Sequence, residues 1–496
     1  MRLIVCAALA LAPSGSAPGA GWNQSFRAGY NDTHGRWAGG SEVKHVVAHG
    51  GALYAANGYW MDAQPGWTGL GKTSQVLRLD EPHGEWEVDL ELATGTEMTE
   101  TLIELEFRTA TGEGQPVRAL LAADYHWEGT ASDRWFAVSA YVRNSLTGAW
   151  NQTVVATGPI SRVQQSGGSL SLRAACVHRD SVTKQERVFV LVGTLGIFTG
   201  VYDGSLDGLI RWDAEPEPLP PQSHETRPLA VIEADGQLLM SSGRYIFRRK
   251  DGPKPTYEVV YIVPGGRPDS GLGGIRGLTA IAPPDPSSAG SAGGSSLLFL
   301  YCGHPNASAS GSGACMYRLD SPPGGGSYTT HHEACLDDRV SSYLGGVPLQ
   351  RLLGDYNKAM AVPDPRGSGG IVHLIGVQAL IQADKGLPVV KEACADCHPT
   401  KLHPQLGFYA GGIYFIRNNA SSYNIAEIGG RRQSPTAVSP ALAAVRSYAI
   451  SPFETSEGDG RDKAIYFAGY DCSGVPSPNT AWVFRGELDA VLKPML

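Results

Sequence analysis

One phrase recurs along this chain and constrains its fold more than anything else. An apolar strand is followed by a turn of Gly, Asp, Pro or Ser, and then by a second apolar strand that ends in small residues. The second strands occupy residues 53–57, 119–124, 188–193, 238–242, 297–302, 372–376 and 465–469. The first strands precede them at 43–47, 102–105, 174–177, 229–232, 278–281, 359–362 and 448–450. The turns between them, such as Glu233-Ala234-Asp235-Gly236, carry residues that accept positive φ or bond their own backbone, as tight hairpins require. A supersecondary unit repeated at this scale, with no helical heptads between copies, reads as an all-β, seven-bladed β-propeller.

Each copy extends to four antiparallel strands, named A to D from the first onward. Strands C occupy residues 75–80, 245–249, 315–320, 413–417 and 481–485. Strands D open on an aromatic, at Trp86, Trp150, Tyr257, Tyr328 and Tyr423, with Trp212 as the third blade's counterpart. The seventh blade runs out of chain before a D strand. The string Trp22-Asn23-Gln24-Ser25 repeats Trp150-Asn151-Gln152-Thr153, so the N-terminal strand is expected to complete that blade and close the ring, removing open sheet edges. Residues 21–496 then form a single propeller, with an insertion between strands B and C of the sixth blade at about 381–411.

The composition agrees. Charged residues are 18% of the 496, and the 63 Gly and 33 Pro supply turns between short strands. The net charge of −8, with no basic run beyond Arg248-Arg249-Lys250, argues against a nucleic-acid partner. Residues 1–20 give one positive charge, a short apolar run and then small residues, the pattern of a secretory signal peptide too short to span a bilayer. No other segment has a membrane-length apolar run, so an extracytoplasmic protein is expected. Sequons at Asn23, Asn31, Asn151, Asn306 and Asn419 fit a secreted glycoprotein. Of eight cysteines Cys6 lies in the leader, and the remaining seven are an odd number for an oxidising compartment. Cys302 ends one strand and Cys315 begins the next, so a Cys302–Cys315 disulfide is expected. Cys176, inside an apolar strand, is expected to stay a small buried thiol.

In this blade grammar, and in lacking the Gly-His…Trp-Asp signature of WD40 arrays, the chain resembles the secreted non-WD40 propellers in general. That resemblance covers nearly the whole mature length and implies no single activity, since such propellers include glycan lyases, glycosidases, lactonases and lectins.

Strand order places every B–C and D–A loop on one face, around the mouth of the central channel. The ends of strands B bring Asn57, Tyr59, Trp60, Asp124, Tyr125, His126, Trp127, Tyr202, Asp203, Arg244, Tyr470 and Asp471 to that rim, and Asn357 joins them from a D–A loop. The aromatics offer flat faces with polar edges, suited to sugar rings, while the carboxylates and imidazole offer acid/base or metal chemistry. Taken singly, each also fits a turn cap or a packing residue. The expected function is binding of a glycan or small amphipathic ligand on this face. The alternative is a glycan lyase or hydrolase with His126 as base, Tyr125 or Tyr202 as acid, and Arg244 or Lys358 neutralising a substrate carboxylate. A calcium ion at the channel mouth would draw on Asn57, Asp124, Asp203 or Asn357. The sixth-blade insertion carries Cys394-Ala395-Asp396-Cys397-His398, with His403 close by. This string fits a disulfide-stapled loop, a zinc site, or the attachment pattern of c-type haem.

Overall fold

The computed structural model describes residues 21–59, 73–93, 95–96, 98–108, 116–130, 133–145, 147–165, 170–220, 228–264, 274–282, 294–302, 313–321, 328–346, 349–354, 357–367, 369–382, 406–408, 412–430, 442, 444–454, 460, 462–470 and 481–495. The leader, Trp60, Asn306, Asp471 and the Cys394, Cys397, His398 and His403 string lie outside them.

Seven antiparallel four-stranded blades follow one another along the chain. Blade 1 is Glu42–His49, Ala52–Gly58, Gln75–Leu79 and Glu87–Glu91. Blade 2 is Thr101–Phe107, Val117–Thr130, Asp133–Asn144 and Trp150–Pro159. Blades 3, 4 and 5 begin at Leu172, Pro228 and Gly274, and the D strand of blade 3 is the short Ile210–Trp212. In blade 6 the inner strand comes in two pieces, Leu349–Gly354 and Met360–Pro363, both paired with the long strand Ile371–Gln382. In blade 7, Trp22–Arg27 pairs with Trp482–Glu487, in the register Trp22↔Gly486 to Arg27↔Trp482. The ring is closed by the N-terminal strand, as its sequence repeat predicts.

Hydrophobic alternation explains why the blades stack. Strands buried on both faces send successive side chains to opposite neighbours. The seven core clusters therefore each lie between two consecutive blades, the one between blades 7 and 1 included. Small residues at the ends of strands B let the inner strands converge. A Cβ on Gly469 would meet the Ala444 carbonyl and the Trp482 ring, and one on Gly376 would meet Val445.

Polar latches reinforce this ring near its outer edge. The Trp86 indole donates to Ser25 Oγ at 2.9 Å, Trp150 to Asp89 at 2.6 Å, and Trp212 to Thr153 Oγ1 at 2.8 Å, each reaching the D strand of the preceding blade. Tyr423 makes the same reach, donating to Glu333 of blade 5 at 2.6 Å. Glu333 also accepts from Arg318 at 3.0 Å and from Arg417 at 2.7 Å. The aromatic that opens each D strand is thus a clasp between blades.

The disulfide departs from expectation. Cys315 bonds Cys335, and Cys302 is a buried thiol outside that disulfide. Register is the reason. Tyr301, not Cys302, lies opposite Cys315, so Cys302 projects from the other face of the sheet into the core between blades 5 and 6. Cys315 and Cys335 are directly opposed on neighbouring strands. Cys176 is buried and free, with its thiol pushed up to about 12 by burial.

Candidate functional site

The rim of blade 2 differs from the other rims. Strand B does not exit into a loop at Asp124; it continues to Thr130 and pairs with Asp133–Asn144 in one long hairpin. Gly129 sits near the tip with φ of +84°, where a side chain would strike the Asp133 carbonyl, so only glycine fits. Asp124 to Trp127 therefore stand on a paired β arm, with alternate residues on its two faces. Tyr125 and Trp127 pack edge to face at 6.4 Å, and the Arg134 guanidinium covers the Trp127 ring at 4.5 Å.

A cleft of 120 Å3 opens where this arm meets the loop entering blade 2, lined by Gly95, Met98, Glu100, Tyr125, His126, Trp127 and Arg134. His126 Nε2 meets Glu128 Oε1 at 3.0 Å, while His126 Nδ1 is buried with no hydrogen-bond partner among the described residues. Behind it, Asp124 is fully buried, and neither of its oxygens has a hydrogen-bond partner among the described residues. Burial, with the nearby charge of Glu100 adding to it, pushes the Asp124 carboxyl up to about 8, so it holds its proton at neutral pH. Glu100 accepts a 2.6 Å ion-paired hydrogen bond from buried Lys44 of blade 1. The two carboxyls thus sit in opposite surroundings, Asp124 without a partner among the described residues and Glu100 ion-paired.

The Glu100 carbonyl oxygen lies 3.1 Å from His45 Nε2, on the inner strand of blade 1. Burial and then the Lys44 charge depress His45 to about 3, so the ring is neutral and Nε2 donates to that carbonyl. The channel beside it forms a cavity of 290 Å3 lined by inner strands, including His45, Arg173, Asn357 and Lys358.

Three of the rim residues predicted from sequence, Tyr125, His126 and Trp127, meet in the cleft, and Asp124 backs it. The others are placed elsewhere. Asn57 is buried and donates its amide to the Gly39 carbonyl. Tyr59 is buried. Tyr202 packs its ring 5.5 Å from Phe107, and Asp203 caps a turn by accepting from the Ser205 amide and hydroxyl, which holds its carboxyl below the usual range. Arg244 donates to the Tyr245 hydroxyl at 3.0 Å. Tyr470 ends its strand opposite Ala444. Asn357 donates to the carbonyls of Lys44 and Arg446, both at 2.9 Å, stapling blade 6 to blades 1 and 7.

Among the described residues the one trio of His, Cys, Asp or Glu with ligand atoms within 4.8 Å is Cys315, His332 and Cys335, two of which form the disulfide. Glu100, Arg134 and Lys44 went unremarked in the sequence. Arg134 was recoverable from strand register, which sets it one step diagonally from Trp127. Lys44 and Glu100 meet only because two blades do.

The strand pairing defines the class of protein, a seven-bladed β-propeller with a polar cleft on its B–C face. No protein-family model and no curated protein sequence matches the chain. Among solved structures it is similar to the GH93 α-L-arabinofuranosidase of Fusarium graminearum in complex with arabinobiose, at 11% identity over 95% of this chain and 98% of that one, with a TM-score of 0.42. It is similar also to Trypanosoma rangeli sialidase in complex with sialic acid, at 10% identity over 98% of this chain and 60% of that one, with a TM-score of 0.34.

Proposed function

We propose that this propeller binds a glycan or similar polyhydroxylated ligand, with the end of the ligand seated in the blade 2 cleft. The observation that carries the proposal is the cleft's own composition: an imidazole with an unused buried nitrogen, a guanidinium, a carboxylate and two aromatic rings converge on one recess held by a paired β arm. Sugar hydroxyls take such a mixture of donors and acceptors, and the rings supply apolar contact to the sugar's C–H faces. A rigid arm also holds these groups in place before the ligand arrives. We place the protein outside the cytoplasm on its leader pattern, and among the described residues no helix is long and apolar enough to cross a membrane.

Binding is favoured over hydrolysis by the placement of the carboxyls. A glycosidase needs a proton-bearing carboxyl and an ionised one, both facing the scissile bond. Here Asp124 bears the proton but is sealed behind the arm, whereas Glu100 lines the cleft and is ion-paired to Lys44.

The test is a glycan array followed by mass analysis of any ligand retained. The expected result is capture of an unaltered oligosaccharide by the native protein, with capture lost in His126→Ala and in Trp127→Ala. Shortened or unsaturated products would instead establish the enzymatic reading, and retention of the ligand by both variants would remove the cleft from the site.

A further inference from the structure

The central channel holds a second cavity, distinct from the rim cleft. Its 290 Å3 cavity approaches the lower end of small-ligand pockets, about 300 Å3. The walls come from the inner strands of blades 1, 2, 3, 4, 6 and 7 and are largely aliphatic, with Val46, Ile103, Leu229, Val231 and Met360 among them. Two cations, Arg173 and Lys358, line it, and among the described residues no Asp or Glu does.

Lys358 is the informative residue. It is exposed, yet it lies on the cavity wall, so what it is exposed to is the lumen. Burial within the ring pulls its ammonium below the ordinary lysine range, and the one charge acting on it among the described residues is that of the Cys176 thiol. That thiol, itself pushed up to about 12, is neutral at ordinary pH and supplies no counter-charge. Two buried carboxylates are committed elsewhere, Glu100 to Lys44 and Glu42 to Arg446 at 2.9 Å. A desolvated cation in a cavity with no acid among its described lining is an arrangement that proteins rarely keep unless something of opposite charge enters.

We propose that the channel mouth binds a small organic anion whose carboxylate pairs with Lys358 and whose apolar part lies against the aliphatic wall. The wall selects an organic anion over a bare inorganic one, because an ion hydrated on all sides would gain nothing from Val46, Ile103 or Met360.

Calorimetric titration of the full protein with butyrate, acetate, D-glucose and inorganic phosphate tests this. Butyrate and acetate are expected to bind saturably and D-glucose not to bind. Lys358→Met should weaken carboxylate binding about tenfold or more, and Lys358→Arg should restore part of it. The melting temperature of Lys358→Met, expected to stay close to that of the native protein, together with the partial rescue by Lys358→Arg, guards against a misfolded lysine variant. Failure of both carboxylates to bind, unchanged binding in Lys358→Met, or a response to phosphate alone would overturn the proposal. Trp127→Ala is expected to keep carboxylate binding, so the rim site and the channel site can fail separately.

Discussion

The outer belt of the ring and the mouth of its channel use the same kinds of side chain in opposite ways. At the belt, buried charges are fully matched. Arg249 binds Asp180, Glu217 and Asp251, and Glu333 collects Arg318, Arg417 and Tyr423. Burial works to raise Glu333, but the Arg417 hydrogen bond and charge outweigh it and leave the carboxyl below its usual range. At the mouth, Asp124 and Lys358 have no such matching among the described residues, and both shift toward neutrality. Matched charges clamp one blade to the next. Unmatched ones cost stability, and they are where the two proposals above seat a ligand.

Breaking a belt cluster should have the largest effect. Glu333→Ala leaves two arginines buried without their shared partner, and a loss of about 3–5 kcal/mol is expected in denaturant unfolding. A loss below about 1 kcal/mol would show that the belt is no stronger than a surface ion pair.

The mouth should respond in the opposite direction. Because folded Asp124 titrates near 8 against an ordinary 3.8, the unfolded chain ionises it first, and its contribution to stability falls as pH rises from about 4 to about 8. Asp124→Asn removes that cost. The variant should gain about 4 kcal/mol at pH 7 and little at pH 4, as read by thermal melts across that range. A pH-independent difference would mean that Asp124 is ionised in the fold.

Smaller effects refine the contrast. Ser25→Ala removes the acceptor for the Trp86 indole on the closing strand, and should cost about 1 kcal/mol in the same melts. His126→Ala, at the cleft, should stay within about 0.5 kcal/mol of the native protein while losing the ligand. A large destabilisation with the ligand retained would return His126 to the packing residues.

The belt was legible in the sequence because its signals are local and repeated. The aromatic opening each D strand and the Trp-Asn-Gln-Ser echo at residue 22 report backbone pairings that recur at fixed places in a blade. Cys302–Cys315 failed at the next level, since proximity in sequence predicted adjacent strands correctly but a one-residue register step sent Cys302 to the other face.

By itself, then, the sequence determined blade number, strand order, ring closure and the face carrying the rim, because alternation and turn chemistry act over a few residues. It singled out Tyr125, His126 and Trp127 as well. Only the tertiary structure decided which polar groups are matched. Lys44 and Glu100 lie on successive blades, and Lys358 faces the lumen from a blade far along the chain. The Lys358 ammonium is lowered from its usual range through burial by strands that no local pattern names, and closing the ring is what brings those strands around it.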